Sequence, residues 1–253
     1  MANPHVLILR APGTNCENET AYAFDEVGAE AEIVHLNVLL ESPGRLKSFQ
    51  ILCFPGGFSY GDDVSAGHVA ALRIRKFLSH ELADMVQTGG LILGICNGFQ
   101  ILIKTGLLLP AQQSGALATL TWNINGRYTA QWVGLRVTKN HSPFLMGIDQ
   151  MYLPIAHAEG RFVARDEQTL QALEVQGQLP LRYEPTEEFP QGNPNGSMAD
   201  VAGVCDETGR VFGLMPHPER CFDMTHHPRW TRSYARSAAD GRKIFENAVR
   251  FFG

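Results

Sequence analysis

The stretch richest in chemistry is Leu91-Ile-Leu-Gly94-Ile-Cys96-Asn97-Gly98-Phe-Gln100. An apolar run enters Gly-x-Cys-x-Gly, and an apolar, helix-compatible segment leaves it. That is the strand–turn–helix setting of a nucleophile elbow. A sharp turn forces the nucleophile's backbone into a strained region, and small residues two before and two after make room for it. The thiol then stands at a helix N-terminus, where the dipole and free N–H groups favour a thiolate. The N–H of Asn97 would point toward an oxyanion formed on a substrate. A buried structural thiol is the competing reading, but a position between two glycines at a strand end favours the nucleophile. From Gly98 to Lys104-Thr105 the second glycine before the lysine is missing, so the segment is not a phosphate loop.

A cysteine nucleophile needs a proton acceptor and a group to orient it. Of nine histidines, the best placed lies in Met215-Pro-His217-Pro-Glu219-Arg220. Pro218 disfavours the α region at His217 and leaves it extended. Residues two apart in an extended chain project to one side, so Glu219 can take one ring nitrogen and leave the other for Cys96. A histidine satisfied within a proline-rich turn is the alternative. His226-His227, near Cys221, lack a fourth ligand at a zinc spacing and are expected in a surface loop. Phe54-Pro-Gly56-Gly57 follows a predicted strand, and paired glycines there let main-chain N–H groups approach a ligand. Gly57 would be a second oxyanion donor, although a plain glycine turn fits equally well.

These residues need a scaffold. Strands are predicted at Val6–Leu9, Ile33–Leu36, Ile51–Phe54 and Leu91–Ile95, and helices at Glu17–Val27 and, as one long element, Ser65–Gln87. Continuous apolar strands alternating with helices argue a parallel sheet covered on both faces. The second half shows shorter, more antiparallel strands near 127–138, 151–156, 161–164, 171–175, 179–183, 198–204 and 210–215. A helix is expected from Ala238 to Phe252. With no repeat, low-complexity tract or clean linker, residues 1–253 are expected to form one α/β domain.

Composition narrows the class. The 253 residues are 44% hydrophobic and 19% charged, with a formal net charge of -5. That is globular composition without an overall basic footprint for nucleic acid or an anionic membrane. The apolar stretch near the start is too short for a secretory signal, and no run approaches a membrane span. Five scattered cysteines without a Cys-x-x-Cys pair argue against a disulfide framework or structural zinc and suit a reducing cytoplasm.

Gly94-Ile-Cys96-Asn-Gly98-Phe-Gln100 resembles the nucleophile motif of class I glutamine amidotransferases, and His217-Pro-Glu219 resembles the His-x-Glu pair that completes their triad. The order, cysteine mid-chain and His-x-Glu near the end, also agrees. Within the class, six segments are similar to the family of glutaminase subunits of phosphoribosylformylglycinamidine synthase. They are Pro12-Gly-Thr-Asn-Cys16-Glu, Pro55-Gly-Gly-Phe-Ser-Tyr-Gly61-Asp, the cysteine motif, Pro154-Ile-Ala-His157-Ala-Glu-Gly-Arg-Phe162, Asn193-Pro-Asn-Gly-Ser197 and Met215-Pro-His-Pro-Glu-Arg220. The chain departs from that family in a longer tail, Asp223 to Arg236.

The resemblance implies an amidotransferase-like α/β fold, a mostly parallel central sheet flanked by helices with an antiparallel extension. It implies Cys96 as nucleophile, His217 as general base and acid, and Glu219 as its orienter. Gly56, Gly57, Asn97, Gln100 and His157 would bind substrate, with Gly57 and Asn97 as oxyanion donors and Gln100 near the α-substituents of L-glutamine. No metal or cofactor is expected on this chain. ATP and magnesium are expected on a synthetase partner that converts formylglycinamide ribonucleotide to the amidine in purine biosynthesis, with a small third subunit beside it. Another class I synthetase, a cysteine hydrolase of α/β type and a non-enzymatic subunit with a vestigial pocket are the rival readings.

Overall fold

The computed structural model describes residues 3–231 and 240–253. The first half alternates as expected: β1 (His5–Arg10), α1 (Glu17–Asp25), β2 (Glu30–His35), α2 (Leu36–Glu41), β3 (Ile51–Phe54), α3 (His68–Phe77), α4 (Ser79–Gln87), β4 (Leu91–Ile95) and α5 (Asn97–Thr105). Then follow β5 (Ala118–Thr121), β6 (Thr129–Val137), β7 (Gln150–His157), β8 (Arg161–Ala164), α6 (Glu167–Val175), β9 (Leu181–Glu184), β10 (Val201–Cys205), β11 (Val211–Leu214) and α7 (Arg242–Arg250).

Nine strands form one sheet in the order β2-β1-β3-β4-β11-β10-β9-β6-β7, while β5 and β8 make a separate antiparallel pair. Pairing is parallel from β2 to β11 and antiparallel from β11 to β7. Strands β3, β4 and β11 are buried along their whole length, which explains why they read as unbroken apolar runs rather than alternating ones. The strand order places β11, drawn from the last fifth of the chain, against β4 from its middle. Leu214 therefore stands beside Ile95. Among the described residues no helix is long and apolar enough to cross a membrane.

Four expectations need correction. The long helix over Ser65–Gln87 is two, because Leu78 leaves the helical region (φ -127°, ψ 3°) as its side chain enters the core. Residues 171–175 belong to α6, not to a strand. Asp166 caps that helix by accepting from the Thr169 N–H at 2.7 Å, and Leu170 and Leu173 face inward at helical spacing. Leu36 opens α2 instead of ending β2, with the His35 ring nitrogen capping the Asn37 N–H. Strand β5 was not anticipated. The terminal helix is described from Arg242. The expected start at Ala238 lies outside the described residues, as does the part of the tail over residues 232–236.

Helix α5 packs so closely on β3 that a Cβ at Gly98 would fall 1.8 Å from the Phe54 carbonyl oxygen. Gly98→Ala is expected to destabilise the fold by about 3 kcal/mol or more, since neither backbone can yield. Gly44→Ala, where a Cβ meets nothing within 4 Å, should stay within about 0.5 kcal/mol. Urea unfolding of the two variants makes the comparison.

Candidate active site

Four strands point their carboxyl ends at one place: β1, β3, β4 and β11. Ligands of open α/β sheets bind at that edge. Each strand delivers a loop there: Pro12–Cys16 after β1, Pro55–Gly57 after β3, Cys96 after β4 and Met215–Glu219 after β11.

Cys96 adopts φ 51°, ψ -103°, a left-handed backbone that a side chain rarely accepts. Its N–H donates to the Leu214 carbonyl at 2.8 Å, so the turn is tied directly to β11. The sulfur lies 3.7 Å from the Ala156 carbonyl oxygen. The strain predicted for the elbow is present, and α5 begins at the next residue.

His217 is extended (φ -104°, ψ 91°), as Pro218 requires, and its N–H donates to the Pro154 carbonyl at 2.8 Å. Its Nδ1 lies 2.6 Å from Oε1 of Glu219. Glu219 reaches the ring from a 3-10 turn over Pro218–Cys221, rather than from the extended chain expected. Both side chains are buried, and Nε2 of His217 has no partner among the described residues. Cys96 and His217 line a shared cavity of ≈ 90 Å³ with Cys16, Tyr128 and Arg220. Burial alone would push the His217 pKa down. The adjacent Glu219 carboxylate, with the Cys96 and Cys16 thiols, outweighs it and holds the pKa well above the usual histidine range.

Gly56 and Gly57 sit at the rim. A Cβ on Gly56 would approach Cε1 of His217 to 2.8 Å, and Gly57 has φ 150°. Among the described residues no acceptor engages the N–H of Gly57 or of Asn97. The Asn97 side chain is structural: Oδ1 accepts from the Ser59 N–H at 3.1 Å, and Nδ2 donates to Asp62 at 3.0 Å and Gln100 at 2.9 Å. Gln100 in turn donates to the Glu159 carbonyl at 2.6 Å. Gln100 and His157 line a second, larger cavity of ≈ 250 Å³, which also opens onto Cys96 and Gly57. Five of the eight residues singled out above, Cys96, His217, Gly57, Gln100 and His157, line the two cavities that meet at Cys96, while Gly56 and Asn97 are chain neighbours of that set and Glu219 bonds His217.

Motif reasoning assigned no chemistry to Cys16, Asp62, Tyr128, Glu159 or Arg220. Arg220 donates to the Cys16 sulfur at 3.0 Å, and the Cys16 N–H donates to the Gly56 carbonyl at 3.2 Å. All but Tyr128 stood in the quoted segments, but only the fold makes them neighbours. Cys16, His217 and Glu219 offer ligand atoms within 4.8 Å of one another. Oε1 of Glu219 already engages Nδ1 of that histidine. His226 belongs to a 3-10 turn over Met224–His226, and the ring of His227 packs at a tilt against Trp132 and Tyr152.

The fold and site together define a class: α/β proteins that hold a strained cysteine at a strand–helix elbow beside a histidine–carboxylate pair. Residues 3–252 match the family model described as a CobB/CobQ-like glutamine amidotransferase domain, and the chain belongs to that family. It is 45% identical to phosphoribosylformylglycinamidine synthase subunit PurQ of Dehalococcoides mccartyi, over 99% of this chain and 98% of the relative. It is 41% identical to the subunit of the same name from Methanococcus maripaludis, over 98% and 97%. Among solved structures it resembles a chain of the PurLQS structure from Thermotoga maritima. The TM-score is 0.77 at 32% identity, covering 99% of this chain and all of that one. The chain is thus an enzyme of the amidotransferase class, with glutamine as amido donor.

The raised His217 pKa has a signed consequence. Its pairing with Glu219 adds stability that is complete below about pH 6.5, the unfolded value, and is lost as pH rises through the higher folded value. Glu219→Gln is expected to destabilise the fold by about 3 kcal/mol at pH 6. The difference from the parent should shrink in alkali, as urea titrations at several pH values will register.

Proposed function

We propose that the chain is the glutaminase subunit of phosphoribosylformylglycinamidine synthase, and that residues 1–253 act as one amidotransferase domain. A single sheet that takes strands from both halves supports the second point. The observation that carries the first is the strained Cys96 sharing a cavity with a His217 already held by Glu219. Relatives of that name match nearly the whole chain.

In this reading the Cys96 sulfur attacks the side-chain amide carbon of L-glutamine, and His217 holds the proton that the thiol gives up. The N–H groups of Gly57 and Asn97 donate to the oxyanion, each worth about 3–4 kcal/mol in the transition state. His217 passes its proton to the departing nitrogen and ammonia leaves. Water then hydrolyses the γ-glutamyl thioester with His217 as base. Glu219 fixes the ring so that Nε2 faces the sulfur.

Ammonia released into bulk water becomes ammonium and ceases to be a nucleophile. The product therefore needs a shielded route to a partner: an ATP-using synthetase subunit, with magnesium on that subunit and a small third subunit alongside. No cofactor is required on this chain for the thiol chemistry.

Cys96→Ala is expected to abolish glutamine-dependent amidine formation in the reconstituted complex while ammonia-dependent formation persists. Glutaminase activity at the parent's level in this variant would refute the assignment. A glutamine analogue with an electrophilic side-chain carbon should label Cys96 alone among the five cysteines, as peptide mapping would report.

A further inference from the structure

The reaction proposed above makes no use of Cys16. This thiol lines the cavity of ≈ 90 Å³ together with Cys96, His217 and Arg220. Its sulfur, a ring nitrogen of His217 and a carboxylate oxygen of Glu219 all lie within 4.8 Å of one another, and all three residues are buried. Around a tetrahedral zinc ion, sulfur, nitrogen and oxygen ligands stand about 3.3–3.6 Å apart, so these side chains need to close by at most about 1.5 Å. Their backbones are fixed. The Cys16 N–H donates to the Gly56 carbonyl at 3.2 Å, the Thr20 hydroxyl donates to the Cys16 carbonyl at 2.6 Å, and the His217 N–H donates to the Pro154 carbonyl at 2.8 Å.

Two atoms of the group give an independent indication. Oε1 of Glu219 holds Nδ1 of His217, which leaves Oε2 and Nε2 over. Both are buried, and among the described residues neither makes a hydrogen bond. The Glu219 side chain is 0% exposed and that of His217 3%. A buried carboxylate oxygen with nothing to bond is costly. Nε2 offers an electron pair as soon as its proton leaves, and the carboxylate on Nδ1 orients the ring as metal-bound histidines require. Thiolate, imidazole and carboxylate together suit zinc, whereas calcium and magnesium ask for oxygen alone. Arg220 stands against a cation here. Its Nη2 donates to the Cys16 sulfur at 3.0 Å, and its Nε lies 4.0 Å from Oε1 of Glu219. Its side chain is 40% exposed, however, and Nη2 is also 3.5 Å from Oε1 of Glu19, which can retain it once it leaves the sulfur.

We propose that Cys16, His217 and Glu219 form an inhibitory site for a borderline-soft divalent cation, with zinc the best match. The sulfur and the ring nitrogen each exchange a proton for a bond to the ion. Both protons pass to solvent, and nothing is oxidised or reduced. With its ring on the metal, His217 no longer takes the proton of Cys96. The site itself stands apart from the glutaminase reading, but the loss of turnover rests on that reading.

Equilibrium dialysis of the full chain against zinc, in mildly alkaline buffer, measures the affinity directly. The parent is expected to hold an ion that Cys16→Ala binds about 100-fold more weakly, since losing a ligand costs at least as much as losing an outer-shell partner. Cys96→Ala is expected to stay within about 10-fold of the parent, which separates this site from zinc held by Cys96 and His217 alone. Arg220→Gln removes the opposing charge and is expected to tighten binding about 2- to 5-fold, a gain that misfolding does not produce. In the complex with the synthetase partner, zinc is expected to stop glutamine-dependent amidine formation and spare the ammonia-dependent reaction, and a chelator to restore the first. No bound ion in the parent, or equal affinity in the parent and Cys16→Ala, would overturn the site. Zinc bound there with turnover unaffected would overturn its inhibitory role. A metal-free parent that releases no ammonia from glutamine would overturn the glutaminase reading, while dialysis still decides the metal site.

Discussion

The parallel pairing of β4 with β11 is the constraint on which the site depends. It sets Leu214 beside Ile95, and the Cys96 N–H closes the ladder on the Leu214 carbonyl. The next residue on one strand is the strained cysteine; three residues on along the other is His217. A slip of one residue in this register would turn every side chain of β11 to the opposite face. The full burial of both strands opposes such a slip. Two prolines then hold the histidine in line, Pro218 by keeping its backbone extended and Pro154 by accepting its N–H.

Two buried histidines near the sulfur show how a partner decides what burial does. His217 faces a carboxylate and is held protonated well above its ordinary range, whereas His157 faces an amide oxygen and is pushed down to about 3. Desolvation is the largest influence on both and acts in the same direction. The difference lies in Glu219 against Asn123. One ring is thereby able to carry a proton and the other only to accept a hydrogen bond. The two cavities that meet at Cys96 divide along the same line.

The elbow was legible because its signal is local: an apolar strand, two glycines around a cysteine and an apolar helix. The His217–Glu219 contact was legible too, since two residues and a proline determine it. Strands β3 and β4 matched their expected bounds for the same reason. Errors arose where a short-range cue competed with a stronger one. Residues 171–175 suggested a strand until the Asp166 cap and the Leu170–Leu173 spacing are weighed together. Leu78 breaks a helical pattern only because the core claims its side chain. The contacts of Cys16, Arg220, Asp62 and Glu159 join distant segments, which no spacing rule contains.

The position of β11 also governs when the site is assembled. This strand is inserted between β4 and β10, although it is made after every other strand of the sheet. Until it emerges, β4 presents an open, wholly apolar edge, the kind of surface that pairs with other chains. Such late, long-range insertion is slow because the loop entropy must be met before the contacts reward it. The Cys96 sulfur is thus synthesised long before the His217 imidazole, and the two stay apart until the sheet is sealed. The same event that removes the sticky edge brings thiol and imidazole together.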